Sequence, residues 1–193
     1  MDRPSDMQTA RAEPIRYTYE DYLTFPDDGR RHELIDGEHY VIPAPVRRHQ
    51  QLSMRLIFAL GSHLLEQPRG EVYAAPLDVI LSDFDVVQPD VLFVSNERQE
   101  VLGEWIHGAP DIVIELLSPE TRRRDEITKR RLYERVGVRE YWIVDGEIEV
   151  VKIYRRQEDG SFAREPELSR EAGHSLTTPL LPGFCLSLTE LFA

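Results

Sequence analysis

Two short apolar segments with carboxylates inside them constrain the fold of this chain most. Residues 86–94 read VVQPDVLFV and residues 109–117 read APDIVIELL, so Asp90 and Glu115 each lie within a run of apolar side chains. Short apolar runs next to proline predict strands buried in a sheet. An ionised carboxylate in an apolar interior costs several kcal/mol or shifts its pKa. The fold therefore has to give both carboxylates a compensating partner.

The alternation of side chains along a strand decides which carboxylates can meet. Asp111 and Glu115 share one face of the second segment, but about 13 Å separates them at ~3.3 Å per residue. Opposed residues on neighbouring strands have Cβ atoms about 5 Å apart, so Asp90 and Glu115 converge if their strands are adjacent. Mg²⁺ prefers oxygen ligands and would offset the desolvation and repulsion of the pair. Two alternatives stay open: Asp90 as the start of a strand after Pro89, and Glu115 as half of a structural ion pair.

The helix predicted after the second segment carries further charges toward the sheet. Ser118-Pro119 is typical of a helix start, and the helix is expected to run to Val136 and to end at Gly137. At ~100° per residue, Leu132, Tyr133 and Val136 define the apolar face of this helix, and three charged residues share that face. They are Arg122, Asp125 and Lys129, whereas Arg124, Arg131 and Arg135 point elsewhere.

Lys129 has two interpretations in this helix. It could pair with Asp125 at i, i+4 spacing, an interaction worth a few tenths of a kcal/mol. It could instead reach the carboxylate cluster of the neighbouring strands. Arginine supplies almost all of the basic residues of the chain, and Lys129 and Lys152 are its two lysines.

The remaining patterns predict one α/β (α+β) domain with a central mixed β-sheet flanked by helices. Thr18 is a candidate N-cap for a short helix over 19–23, and Asp36-Gly37 is a favoured hairpin turn. The other expected elements are a helix over 48–66, strands near 71–81, 86–94 and 111–117, a hairpin turning at Asp145-Gly146, and a last extended piece with a short closing helix. We expect residues 1–15 to form a flexible tail and residues 16–193 to form a single domain.

The composition narrows the class of protein and its compartment. A net charge of −12 argues against a protein that simply coats nucleic acid, although a local basic strip is compatible with it. The polar N-terminal sequence lacks the apolar core of a signal peptide, and no apolar stretch is long enough for a membrane span. The lone Cys185, expected to be buried, fits a reducing compartment. We therefore expect a cytoplasmic protein without a membrane partner or a small organic cofactor.

Several other chemistries are excluded by missing residues. The segment RHEL at 31–34 lacks the second histidine of a zincin helix, and one cysteine cannot form a structural zinc site. The sequence contains no GxSxG motif and no glycine-rich phosphate loop. His49 and His63 are interpreted as surface or packing residues of the long helix.

The spacing of these residues resembles that of a known nuclease superfamily. A Pro-Asp pair on one strand, a glutamate on the next about 25 residues later and a nearby lysine are similar to the PD-(D/E)XK, restriction-endonuclease-like, pattern. The chain resembles one bacterial branch of this superfamily more closely. That branch has long been catalogued as a domain of unknown function. The segments that carry the resemblance are HELIDGE, VVQPDVLFV, PDIVIELLSPETRRRDEITKRRLYERVGVREYWIVD and LLPGF. The likeness runs from about residue 17 to the end of the chain, and residues 110–145 are its most specific part.

The resemblance implies roles for individual residues. Asp90 takes the place of the motif aspartate, Glu115 that of the first residue of E-X-K, and Glu33 that of an upstream glutamate of the acidic cluster. The third position of the motif is Leu117 instead of lysine, so the resemblance implies that Lys129 supplies the amine from the helix. Asp90, Glu115 and the Leu116 carbonyl are then expected to hold Mg²⁺, with Mn²⁺ as a substitute.

The activity implied is metal-assisted hydrolysis of DNA phosphodiester bonds. Glu33, Asp90, Glu115 and Lys129 are the expected catalytic residues, and Arg122, together with the neighbouring arginines, is the expected contact to the DNA phosphates. By analogy with nucleases of this size, a homodimer is expected. The alternative is a nuclease-fold protein that does not cut and instead binds nucleic acid or a partner protein.

Overall fold

The computed structural model describes residues 15–193. The expected tail of residues 1–15 lies outside the described residues except for Ile15, which is exposed. Within these residues four α-helices are formed: α1 (Tyr19–Tyr22), α2 (Arg47–Glu66), α3 (Arg130–Val136) and α4 (Leu188–Leu191). A 3-10 helix spans Asn96–Val101, and a π-helix, Arg124–Lys129, leads directly into α3. None of the helices within residues 15–193 combines the length and apolar character that a membrane crossing requires.

In the described part of the chain, fourteen strands are arranged in three sheets. They are β1 (Arg31–Ile35), β2 (Glu38–Ile42), β3 (Gly70–Ala74), β4 (Val79–Ser82), β5 (Asp85–Val87), β6 (Val91–Ser95), β7 (Ile106–His107), β8 (Ile112–Leu116), β9 (Glu140–Asp145), β10 (Val150–Arg156), β11 (Phe162–Arg164), β12 (Leu168–Ser169), β13 (Ser175–Leu176) and β14 (Leu186–Ser187). The large sheet has the order β11-β10-β9-β8-β6-β3, with β12 also paired to β10. A smaller sheet has the order β2-β1-β5-β4-β7, and β13 pairs with β14.

The predicted α/β class with a mixed sheet is confirmed. In the large sheet β8 and β9 run parallel, whereas β6 pairs antiparallel with both β3 and β8. The smaller sheet was not predicted, because its strands are short and two of them were merged with strands of the large sheet in the sequence pattern.

Prolines account for those merged strands. The strand expected over 71–81 is divided into β3 and β4 on either side of Pro76, and the strand expected over 86–94 is divided into β5 and β6 around Pro89. Proline has no N–H to donate to a ladder, so strands end beside it. The chain thus leaves the large sheet after β3, adds β4 and β5 to the smaller sheet, and returns to the large sheet at Asp90.

The register of β6 and β8 brings the two carboxylate-bearing segments together. Val91 pairs with Ile114, so Asp90 and Glu115 are the next residues outward on two adjacent strands. The two strands are therefore neighbours, which is the condition that the sequence set for Asp90 and Glu115 to converge.

The large sheet buries an apolar layer on each face. On one face the row Leu52, Leu56, Leu60 and Leu64 of α2 packs against the sheet together with the C-terminal segment. On the other face Leu132 and Tyr133 of α3 pack in a second cluster that includes Val113 and Leu92. Because side chains alternate along a strand, Glu115 shares the face of Val113, which is the face toward α3.

The helix after β8 ends as predicted, but residues 119–121 form a turn, the helix begins at Arg122, and its interior is wound differently. Ser118 Oγ accepts the Thr121 N–H at 3.2 Å, and Gly137 ends the helix with a φ of 95°. A π-helix bonds residue i to residue i+5, so residues five apart share a face. Arg124 therefore lies on the same side as Lys129, contrary to the prediction that it points elsewhere.

The predictions for one helix cap, two hairpin turns and the cysteine were confirmed in part. Thr18 caps α1 through a capping box with Asp21, and Asp36-Gly37 turns between β1 and β2 with positive φ at both residues, as predicted. The β9–β10 connection is longer than the predicted two-residue turn, since β10 begins at Val150. Cys185 is exposed, so the expectation that it is buried was wrong.

Candidate functional site

A cavity of about 430 Å³ opens where the two sheets, the start of α2 and the π-helix meet. Its lining includes the four expected catalytic residues Glu33, Asp90, Glu115 and Lys129. The segments that supply them are far apart in the chain but meet because β1 belongs to the smaller sheet, β6 and β8 to the large sheet, and the π-helix covers the junction.

The ammonium of Lys129 lies at the centre of this cluster. Its Nζ is 2.8 Å from Glu33 Oε1 and 2.9 Å from Glu115 Oε1, whereas Asp125 Oδ1 is 3.9 Å away. The contact with Asp125 at i, i+4 spacing is thus the longest of the three. Lys129 therefore reaches carboxylates on two separate strands, as in the interpretation that directs it toward the carboxylate cluster and not only toward Asp125.

Tyr133 adds a hydrogen bond that sequence reasoning missed. Its hydroxyl donates to Glu115 Oε1 at 2.8 Å, and the side chain is fully buried. Tyr133 had been assigned to the apolar face of the helix as a core residue. Its position four residues after Lys129 was the available signal, since both side chains share one face.

Asp90 is held by a different set of partners. Its Oδ2 accepts the Leu116 N–H at 2.9 Å and lies 3.0 Å from His49 Nε2, and its Oδ1 is 3.4 Å from Arg31. Burial by itself raises the pKa of Asp90, but hydrogen bonds from His49 and Leu116 and the charge of Arg31 outweigh it and lower that pKa. Asp90 is therefore an ionised carboxylate. It has a structural function beside any chemical one, because it joins β6 to β8.

His49 was interpreted from the sequence as a surface or packing residue, and the structure places it in the cavity lining. Its Nδ1 is buried and has no hydrogen-bond partner within residues 15–193. The polar side of α2 near its start was the signal available, but nothing local indicates that this side faces Asp90.

Three carboxylates face one ammonium, and the pKa values follow from that imbalance. Burial raises the pKa of Glu115 to about 8; the charge of Lys129 opposes the shift, and the neighbouring carboxylates add to it. Burial likewise raises the pKa of Asp125 to about 6, against the charge of Lys129. The pKa of Lys129 is raised, because Glu115, Glu33 and Asp125 together outweigh its burial. The cluster has more negative than positive charge, so it would attract a further cation.

The donor set fits magnesium better than a metal that needs many side-chain ligands. Within residues 15–193, no three His, Cys, Asp or Glu side chains form a ready metal cluster. Magnesium binds with one or two carboxylates, completed by water and substrate oxygens. Glu33 Oε2 is buried and accepts no hydrogen bond from the described residues, so it also has a free lone pair. Leu116 lines the cavity beside Asp90 and Glu115.

Arg122, the expected phosphate contact, is engaged elsewhere. Its guanidinium lies 2.6 Å from Asp145 Oδ2 and 3.3 Å from Glu147 Oε2. Glu147 lines the cavity, whereas Arg122 does not. Arg124 lines the cavity in its place. The cause is the π-helix, which turns Arg124 toward the same side as Lys129.

The raised pKa of Glu115 predicts the pH dependence of stability. The folded protein binds this proton more tightly than the unfolded chain does, so the stabilisation is complete below the unfolded pKa near 4.5 and is lost as pH rises toward 8. Glu115→Gln retains an acceptor for Lys129 and Tyr133 but cannot ionise. In EDTA, we expect its free energy of unfolding to equal that of the wild type near pH 4 and to exceed it by about 5 kcal/mol above pH 8, because raising the pKa from 4.5 to about 8 corresponds to ~1.4 kcal/mol for each pH unit.

Urea unfolding at several pH values measures this difference, and Glu104→Gln at an exposed carboxylate is the control. A loss of about 3–5 kcal/mol at every pH would instead show that Glu115 is half of a structural ion pair with Lys129.

Comparison with known proteins identifies the family. A sequence model of the Uma2 family, described as "Putative restriction endonuclease", matches residues 19–189. "Uncharacterized protein slr1290" of Synechocystis sp. (strain ATCC 27184 / PCC 6803 / Kazusa) is 27% identical over 146 residues, which cover 74% of this chain and 76% of that protein. The crystal structure of "a putative nuclease belonging to DUF820" from Anabaena variabilis ATCC 29413 has the same fold, with a TM-score of 0.76 and 21% identity over 91% of this chain and 97% of that one. The predicted restriction-endonuclease-like resemblance is confirmed, and because the family match extends over most of its length, the chain belongs to the Uma2 family.

Proposed function

We propose that this protein is a magnesium-dependent nuclease that hydrolyses phosphodiester bonds of DNA. The observation that carries the proposal is the ammonium of Lys129 between Glu33 and Glu115, beside Asp90, in the lining of one cavity. The family is described as "Putative restriction endonuclease" and the Anabaena variabilis protein as "a putative nuclease", and both descriptions support the same activity.

Asp90, Glu115 and the carbonyl of Leu116 are the residues that would hold Mg²⁺, or Mn²⁺ in its place. When bound, the ion would polarise a phosphate oxygen and lower the pKa of a bound water. Asp90 is well suited to this role because its pKa is lowered, so it is ionised at neutral pH. Glu115 would become ionised as a cation replaces its proton.

Lys129 would stabilise the negative charge that develops on the phosphate. Its raised pKa supports a charged ammonium, which donates hydrogen bonds and orients water in preference to removing a proton. Glu33 and Tyr133 hold Lys129 and Glu115 in place from opposite sides of the cluster. Hydrolysis adds the water oxygen to phosphorus and breaks one ester P–O bond, and one water hydrogen ends on the released hydroxyl.

The position of Lys129 also offers a reason why Leu117 can replace the motif lysine. Leu117 follows β8 and lines the cavity, whereas the ammonium enters from the π-helix on the same face of the sheet. A lysine at 117 would add a second cation to a site that already has one.

A second candidate function is a nuclease-fold protein that binds nucleic acid or a partner without cutting. It is favoured by the hydrogen bonds that already engage Glu115 Oε1 and Asp90 Oδ2, and by the lack of a three-ligand metal cluster within residues 15–193. Cleavage assays separate the two candidates.

The first prediction of the proposal is strict metal dependence. We expect supercoiled, linear duplex and single-stranded DNA to include at least one substrate that is cut with Mg²⁺ or Mn²⁺ and left intact in EDTA. Asp90→Asn should abolish the cutting, because it removes a charged ligand. Cleavage that persists in EDTA contradicts the metal mechanism, and intact DNA under every condition supports the second candidate.

The second prediction concerns Lys129. Arginine retains the charge but is bulkier and cannot fit the compact ammonium site, which is 3% exposed. Lys129→Arg and Lys129→Met should each lower single-turnover cleavage by about hundredfold or more while circular dichroism remains native. Lys152→Arg is the matched control. Lys152 Nζ lies 2.7 Å from Glu126 Oε1, and neither residue lines the cavity. A near-wild-type rate for Lys129→Arg would remove Lys129 from the chemistry.

A further inference from the structure

An apolar wall forms part of the cavity lining, in addition to the charged groups. Glu33, Asp90, Glu115 and Lys129 form the charged part. The wall comes from the segment between β2 and α2 and from the chain that follows β8. Its residues are Ile42, Pro43, Ala44, Pro45, Val46, Leu117 and Pro119. Carboxylates and a lysine suit a phosphate and its metal, whereas an apolar wall suits the flat surface of a base.

The depth of the charged part limits what can reach it. Glu33 is 0% exposed, Lys129 3% and Glu115 4%. A phosphate must therefore enter the cavity to approach them. At about 430 Å³ the cavity has the size of a small-molecule site. That volume suits one nucleotide and excludes a stack of base pairs.

Arg124 supplies a platform of the kind that bases stack on. Its guanidinium carbon lies 5.0 Å from the centre of the Tyr40 ring, so one of its two faces is already supported. Its Nε is buried and has no hydrogen-bond partner within residues 15–193. Unstacked bases are commonly bound on arginine planes and by free donors of this type.

A second cavity, of about 280 Å³, adjoins the first and continues the path for a strand. The two share Arg31, His49 and Asp90 in their linings, together with the segment Ile42–Pro45. The neighbouring nucleotide of the same strand would have room there, so that the phosphate between the two nucleotides lies near Asp90.

We propose that the cavity binds an unpaired nucleotide, with its phosphate toward Glu115 and Lys129 and its base between the apolar wall and Arg124. The inference rests on the proposed nuclease function and specifies its substrate as single-stranded DNA or a base extruded from a duplex. Enzymes that act on an extruded nucleotide expend a few kcal/mol on unstacking it, and least where the base is already unpaired. The net charge of −12 agrees with a short contact of this kind in place of a long duplex track.

The test compares four oligonucleotides of one sequence under Mg²⁺ in single-turnover cleavage. They are a single strand, a perfect duplex, a duplex with one bulged nucleotide, and the single strand with one abasic position. We expect the single strand and the bulge to be cut at least about tenfold faster than the duplex, and cleavage beside the abasic position to be reduced about as strongly. Equal or faster cutting of the perfect duplex would overturn the inference while leaving the nuclease function intact.

Two variants examine the platform directly. Arg124→Met should raise the KM for the single strand severalfold and remove the difference between the intact and abasic strands, whereas its exposed neighbour Arg123→Met should change neither. An unchanged difference in Arg124→Met would show that the base does not lie on this side chain and would overturn its assigned place.

DNA-binding measurements distinguish a failure of the proposed nuclease function from a failure of the unpaired-nucleotide site. If no substrate is cut, fluorescence anisotropy of the wild-type protein in Ca²⁺ still compares the four oligonucleotides. Tighter binding of the single strand and bulge than of the duplex and abasic strand supports an unpaired-nucleotide site without catalysis. Equal binding of all four overturns it.

Discussion

The contact of the Lys129 ammonium with Glu33 and Glu115 joins three parts of the fold. Glu33 belongs to β1 of the smaller sheet, Glu115 to β8 of the large sheet, and Lys129 to the π-helix that covers their junction. All three side chains are almost completely buried. Removing the Lys129 ammonium would leave the buried carboxylates without their cation, a change that commonly costs about 3–5 kcal/mol. The packing of the two sheets against the helix therefore depends on the same charges that the proposed chemistry uses.

The excess of carboxylates over cations in this cluster connects stability to function. Burial raises the pKa values of Glu115 and Asp125, and the single ammonium of Lys129, which also faces Glu33, does not offset that rise. A protein selected for stability alone could replace such a group with apolar side chains at little cost. The cluster instead retains a negative charge at the side of a cavity, where a divalent cation and a phosphate would complete it.

Two departures from regular secondary structure position the groups around that cluster. Pro89 ends β5 and lets the chain return to the large sheet at Asp90, so the aspartate lies beside β8 with its Oδ2 on the Leu116 N–H. The π-helix has a wider turn than an α-helix and places Arg124 beside Lys129 in the cavity lining. The first departure is encoded by a proline. The second has no marker in the local sequence.

The sequence by itself determined which segments form buried strands, where several helices and turns begin or end, and that Asp90 and Glu115 meet if their strands are adjacent, because side-chain periodicity, proline and capping residues act over a few neighbouring positions. The sheet register then made those two strands neighbours. It also indicated that Lys129 faces the sheet, through the helical spacing of its apolar neighbours. Only the tertiary structure decided that Lys129 meets Glu33 across 96 residues of chain, that His49 faces Asp90, and that Arg122 pairs with Asp145 while Arg124 lines the cavity. These contacts depend on how two sheets and two helices pack together, and buried charges select their partners only after that packing has brought them within a few ångströms of each other.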